Sequence, residues 1–199
     1  WLPLIVAAFV FFTITTWRRG RAIVSKEMSE GALPLVDFLA RMERAPNRVA
    51  GTAVFLTADA SSTPAAFLHN LKHNKILHER IIVLQVDTRD VPRVPEAQRV
   101  DVERLGKGFY SVVAHYGFME QPDVPAALRA CRPHGIAYDE METSFFLGRE
   151  TLVPAQRSRL TAGWRRDFFI SLSHTASATK TFFRIPPNRA IELGNQIQI

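Results

Sequence analysis

One stretch constrains this chain more than any other. Trp1-Leu2-Pro3-Leu4-Ile5-Val6-Ala7-Ala8-Phe9-Val10-Phe11-Phe12-Thr13-Ile14-Thr15-Thr16 carries no charged side chain and stops at Trp17-Arg18-Arg19-Gly20-Arg21. As a helix it covers roughly 24 Å of a bilayer's hydrocarbon core of ~30 Å. The chain opens on Trp rather than Met, so the start of this helix and further chain are expected upstream. A secretory signal peptide places its cations before the apolar run, whereas here they come after it. The other alternative is a buried core helix, since the run lies near the boundary between the two classes. Its lack of a polar face and its many Phe and β-branched residues favour the membrane. Trp17 suits the headgroup level, and the three arginines after it place that end on the cytoplasmic side.

The remaining chain is long enough for one domain with a sizeable core, or two small ones. The hydrophobic share of 47 % argues against disorder. A single cysteine, Cys131, rules out an internal disulfide framework and fits a reducing compartment. The net charge of +6 suits an anionic membrane surface or another anionic partner. No helix-turn-helix, zinc-finger or RNP-like signature accompanies it, so nucleic acid is not the expected partner.

Arg18 to Met42 reads as a basic juxtamembrane stretch with a short helix built on Leu33, Val36, Phe38 and Leu39, with Pro34 in its first turn. Arg44-Ala45-Pro46-Asn47 reads as a turn. Val49–Thr57 is short, apolar and β-rich, as a strand buried on both faces requires. Ala65–Asn74 reads as a helix with Phe67, Leu68 and Leu71 inward, and Arg80–Val86 as a second buried strand. Strand, helix, strand at this spacing is a βαβ unit, with parallel strands and a right-handed crossover. Arg99–Leu105 alternates apolar and charged residues, Gly106-Lys107-Gly108 turns, and Phe109–Phe118 returns as a hairpin partner. A short helix from Pro122 to about Cys131, a strand at Thr143–Leu147, a long helix at Ala155–Ala176 and a strand at Ile191–Ile199 complete the pattern. The expected fold is α/β: a mixed sheet containing the βαβ unit, preceded by the end of a transmembrane helix. The expected divisions are residues 1–17, the end of that helix; 18–48, linker and short helix; and 49–199, the α/β domain.

Several residue groups invite a reading as sites. His69 and His73 stand four apart on a helix with His78 nearby, a spacing that can bind zinc, but no Glu or Cys completes the motif. Histidines at a helix surface, or side chains capping the end His73-Asn74-Lys75, are the plainer reading. Contact with phosphates of lipid or of an anionic ligand is a further one. Cys131 and His134 are separated by Pro133 and do not suggest a nucleophile and base. Gly106-Lys107-Gly108 is too short for a phosphate loop, and Glu140, Glu142 and Glu150 are scattered. No catalytic, cofactor-binding or metal-binding residue is assigned, and an enzyme is not expected. Trp164-Arg165-Arg166-Asp167-Phe168-Phe169 fits a membrane-surface contact, or a core helix with solvated arginines. The crevice beyond the βαβ strands, near Thr57–Ser62 and Asp87–Arg89, is the place for an anionic nucleotide. The apolar strand Ile191–Ile199 invites a second copy of the chain, or is covered within its own domain.

Several segments resemble the C-terminal region of the bacterial Kup (KUP/HAK/KT) low-affinity potassium uptake transporters. They are Thr52-Ala53-Val54-Phe55-Leu56-Thr57, His69-Asn70-Leu71-Lys72-His73-Asn74-Lys75-Ile76-Leu77-His78-Glu79-Arg80, Tyr116-Gly117-Phe118-Met119-Glu120, Phe146-Leu147-Gly148-Arg149-Glu150-Thr151 and Ile185-Pro186-Pro187-Asn188-Arg189. Thr15–Arg21 resembles that family's last membrane helix running into its cytosolic tail, and the match covers essentially the whole chain. The resemblance implies a multi-pass inner-membrane transporter that takes up K⁺ together with H⁺, its ion-binding residues lying upstream. This chain would then supply a membrane helix in contact with lipid and a cytosolic regulatory and dimerisation domain. The alternative, resting on the crevice and the basic charge, is a cytosolic sensor that binds an anionic nucleotide, such as a cyclic dinucleotide, to regulate uptake.

Overall fold

The computed structural model describes residues 1–30, 33–41, 48–106, 108–153, 163–175 and 183–198. The chain divides into two compact units, one of Trp1–Gly31, Glu150–Ser177 and Asn195–Ile199, the other of Ala32–Arg149 and Ala178–Gly194.

The first unit is built on α1, Leu2–Glu30. The helix does not end with its apolar run. It continues unbroken through Arg18–Glu30, the stretch read from the sequence as linker, because no Pro or αL glycine interrupts it. The second helix of this unit, α5 (Gly163–Thr175), covers the described part of the helix expected at Ala155–Ala176; residues 155–162 and 176 lie outside the described residues. Phe169 and Val24 are buried between the two helices, with Trp17, Ile23, Leu152 and Ile170 packed around them.

The second unit is the α/β domain. In chain order it carries α2 (Leu35–Arg41), β1 (Arg48–Thr57), α3 (Ala65–Asn74), β2 (Leu77–Arg89), β3 (Val100–Gly106), β4 (Phe109–Gly117), α4 (Val124–Ala130), and the parts of β5 (Thr143–Val153) and β6 (Ala190–Gln198) up to Arg149 and Gly194, the remaining residues of both strands falling in the first unit. The six strands form one sheet in the order β3-β4-β2-β1-β5-β6. β1 pairs in parallel with β2 and β5, β2 pairs in parallel with β4, and β3 pairs antiparallel with β4. The sheet is therefore mixed, with β1-α3-β2 as its βαβ unit and β3-β4 as its hairpin. The turn residue Lys107 and the turn at Arg44–Asn47 lie outside the described residues.

The central strands are apolar on both sides because helices cover both faces. Ala53 and Phe55 of β1 and Ile81 of β2 face α3, where Ala66 and Phe67 are buried and Phe38 and Leu39 of α2 pack against them. Val54, Ile82 and Leu84 point the other way, onto Val124, Leu128 and Cys131 of the α4 segment. Phe55 sits between Phe67 and Phe146, with ring centroids 4.9 Å and 4.7 Å away. Complete burial of such a ring contributes about 1.5–3 kcal/mol. β1 carries a bulge at Gly51, whose φ of +102° and close approach to the Glu142 carbonyl admit no side chain without strain.

Candidate membrane-contacting site

Among the described residues, one helix segment, Leu2–Lys26, is long and apolar enough to cross a membrane, and very little of it is buried within the protein. Leu4, Phe9 and Phe11 are 75 %, 62 % and 71 % exposed. A soluble helix would hide that surface, so this distribution suits a lipid environment or neighbouring apolar helices. Hydroxyls within the run are satisfied locally: Thr13 donates to the Phe9 carbonyl at 2.9 Å and Thr15 to the Phe12 carbonyl at 3.0 Å. Arg18, Arg19 and Arg21 are exposed, and the Arg21 guanidinium lies 6.0 Å from the Trp17 ring centroid.

Helix α5 meets α1 at the end of the apolar run. Trp164 stacks on Phe12 at 5.0 Å and 16°, Phe168 lies 5.7 Å from Phe12, and Phe169 lies 5.7 Å from Trp17. Arg165 donates to Thr16 Oγ1 at 2.8 Å and to Thr15 Oγ1 at 3.1 Å, with its guanidinium 5.1 Å from the Phe12 centroid. Arg166 bonds Asp167 at 2.9 Å. Of the core-helix reading, Phe168 is only half-buried, and Arg165 and Arg166 are half-buried rather than solvated. Phe169 is core, while Trp164 stays 64 % exposed despite its stacking partner.

The other candidate groups do not assemble into a site among the described residues. His69 and His73 lie on α3 with ring centroids 6.0 Å apart, whereas His78 lies on β2 with Nδ1 buried and unpartnered. Burial holds the His78 pKa below its ordinary value. The end of α3 is closed by backbone: Lys75 adopts the αL conformation and donates to the Leu71 carbonyl at 3.1 Å. Cys131 is buried, donates to the Ala127 carbonyl at 3.2 Å, and has its thiol pKa pushed up to about 11 by burial. His134 is exposed one turn on, so the pair forms no nucleophile and base. Glu140 and Glu142 are exposed, and Glu150 lies on β5 with its side chain outside the described residues. The loop Thr57–Ser62 is closed around Asp59, which accepts from the Ser61 hydroxyl and amide, and those bonds lower its pKa. At the end of β2, Asp87 pairs with Arg89 at 3.9 Å. Strand order reverses at β1, so the topological switch lies between β1 and β5 rather than between β1 and β2.

Two polar clusters have no counterpart among the sequence expectations. Buried Arg99 grips Glu120 with two bonds of 2.8 Å and 3.0 Å, and bonds Glu96 and the Val94 and His115 carbonyls. Glu120 also accepts the Gly117 and Val94 amides. The guanidinium holds the Glu120 carboxyl down to about 2. Buried His115 lies 3.0 Å from Asp87 and 2.8 Å from Asp101, joining β4 to β2 and β3. The alternation in Arg99–Leu105 is the available signal for Asp101, but no local pattern pairs Glu120 with Arg99.

The match of sequence to family is direct. Residues 50–199 match the K⁺ potassium transporter C-terminal domain. The chain belongs to this family. It is 49 % identical, over its full length, to a probable potassium transport system protein Kup of Azoarcus sp. (strain BH72), covering 31 % of that protein. A Kup protein of Thiobacillus denitrificans is likewise 49 % identical over the full chain, which covers 32 % of it; one of Myxococcus xanthus is 47 % identical, with 30 % covered. The chain thus spans about a third of the length of the curated relatives it matches. No solved structure matches it. The segments carrying the family resemblance serve the fold: Tyr116–Glu120 delivers Glu120 to Arg99, and Arg80 bonds the Ala137 carbonyl at 2.8 Å.

Proposed function

We propose that this chain is the C-terminal membrane helix and cytosolic domain of a secondary potassium transporter that takes up K⁺ with H⁺ across the inner membrane. The observation that carries the reading is one chain holding a lipid-compatible helix and a domain matched over residues 50–199 to a potassium transporter family. Here the apolar run of α1 spans the bilayer, and Arg18, Arg19 and Arg21 hold the end of that run at the cytoplasmic face. The α/β domain regulates transport or assembly and carries out no chemistry, and ion binding belongs to helices upstream. In this scheme the functional divisions stay at residues 1–17, 18–48 and 49–199. A homodimer forms along β6, the sheet edge that exposes Ile191; the other edge, β3, exposes Asp101, Glu103 and Arg104, which discourage pairing.

The nucleotide-sensor alternative draws less support. The loops near Thr57–Ser62 and Asp87–Arg89 carry the carboxylates of Asp59 and Asp87, a poor setting for a dianionic ligand. Rubidium uptake in a host lacking its own K⁺ uptake tests the main reading. The full-length transporter is expected to restore uptake, and removal of the residues after Arg21 to reduce it at equal membrane abundance. No uptake by the intact protein would overturn the transport reading, and unchanged uptake without the domain would overturn its regulatory role.

A further inference from the structure

Resting on the reading of α1 as a membrane helix, we infer that the start of α5 is a second membrane-contacting element, seated among the headgroups and binding anionic phospholipid. The depth is set by α1. Phe12, on which Trp164 stacks, precedes Arg18 by six residues, about 9 Å along a helix. A ring at that distance inward of the arginines lies near the boundary between headgroups and acyl chains, the level of the aromatic belt. Contacts advance in the same sense along both helices, Phe12 with Trp164 and then Gly20 with Phe169, so α5 leaves the interface alongside α1.

The chemistry of this corner fits that depth. Trp164 is mostly exposed although it is among the most apolar side chains of α5, and an amphipathic indole at this level is the usual interfacial anchor. Arg165 does not point away from the apolar run. Its guanidinium is tied to Thr15 and Thr16 and lies over Phe12, an arrangement that lets a cation sit at the edge of hydrocarbon. The residues that follow Thr15 and Thr16 on α1 include Arg18, Arg19 and Arg21, all exposed, and α5 adds Arg166, paired with Asp167, the one carboxylate on its first turns. A cluster of arginines immediately beside a spanning helix, flanked by two tryptophans, complements the phosphates of an anionic leaflet.

The test uses tryptophan as reporter, with the full chain reconstituted in phosphatidylcholine vesicles containing phosphatidylglycerol. Variant W1F/W164F leaves Trp17 and reports on α1; variant W1F/W17F leaves Trp164 and reports on α5. Nitroxide placed high on the acyl chain is expected to quench both more strongly than nitroxide placed deep. Bromine carried on phosphatidylglycerol is expected to quench Trp164 several-fold better than bromine on phosphatidylcholine at equal mole fraction. R18Q/R19Q/R21Q is expected to remove that preference, and an undiminished preference in it would overturn the anionic-lipid assignment. If lipid quenchers reach Trp17 while Trp164 answers only to aqueous acrylamide, or to neither quencher, the inference falls and the membrane reading of α1 stands. If neither residue is quenched from lipid, both fall. Shallow quenching of Trp164 with no preference between lipids overturns the anionic-lipid assignment.

Discussion

Gly20 of α1 lies directly beneath the ring of Phe169 of α5, so close that a β-carbon there would overlap three of the ring atoms. Small residues let helices approach in this way, and here the approach buries Phe169 completely. Gly20→Ala is expected to destabilise the helix pair by about 1–3 kcal/mol through overpacking. Phe169→Ala is expected to cost about 3–5 kcal/mol by leaving a cavity. The double variant should cost less than the sum, because the new methyl enters the space the ring leaves. Unfolding of the three variants in one detergent checks this; strict additivity would refute the contact.

The Arg99–Glu120 pair sets a pH dependence of stability. Its guanidinium and two backbone amides favour the carboxylate, so Glu120 titrates at about 2 in the folded chain against an ordinary value of 4.5. A carboxyl whose folded pKa is depressed contributes its full stabilisation above the ordinary value. That contribution fades as pH falls from 4.5 towards 2, where the unfolded chain binds the proton first. Glu120→Gln is expected to lower stability at neutral pH and to flatten the acid slope in this window. Glu120→Ala, which leaves the buried guanidinium with the exposed Glu96 carboxylate and the Val94 and His115 carbonyls, should cost about 1–3 kcal/mol. Urea unfolding of wild type and both variants across the window decides it; parallel slopes would remove Glu120 as the titrating group.

Much of this architecture is legible in the sequence because it is written in local pattern. The β-rich runs around Phe55 and Val83, flanking a helix with Phe67 inward, specify a parallel βαβ unit without knowledge of anything distant. Gly106 and Gly108, between an alternating and an apolar strand, specify the hairpin. Tertiary arrangement is less visible. Nothing near Trp164 in sequence indicates that its partner is Phe12, and nothing near Glu120 indicates Arg99. The extent of α1 is also hidden, since Arg18 to Glu30 is helical without being apolar and composition marks only where the apolar run stops. Burial of His115 between two aspartates depends on strand register, Asp87 lying opposite His115, which single-sequence periodicity does not carry.

His115 ties the β3 edge to the sheet. Neutral imidazole has one N–H, so only the cationic ring donates to both carboxylates at once. Asp101 is exposed, and Asp101→Asn is expected to cost no more than about 1 kcal/mol. His115→Ala removes both contacts and opens a buried site, for an expected loss of about 1–3 kcal/mol. Its amides should report where the loss acts. Hydrogen exchange is expected to accelerate across Val100–Arg104 in His115→Ala while the β1 and β2 amides stay protected. Acceleration spread evenly over the sheet would show that His115 supports the domain as a whole rather than its edge.

The end of α3 offers a gain of stability instead of a loss. Lys75 holds φ at 54°, in the left-handed region, and its amide caps the Leu71 carbonyl. For a residue with a β-carbon that conformation costs about 1–2 kcal/mol, a cost glycine escapes. Glycine is also freer in the unfolded chain, which returns about 0.4–1 kcal/mol of the benefit. Because the Lys75 side chain is exposed, little packing is lost. Lys75→Gly is therefore expected to stabilise the domain by about 0.5–1 kcal/mol, and Lys75→Ala to leave it within about 0.5 kcal/mol of wild type. Denaturant midpoints at unchanged slope check both. A destabilised glycine variant would mean that the Lys75 side chain, rather than its backbone, holds the turn between α3 and β2.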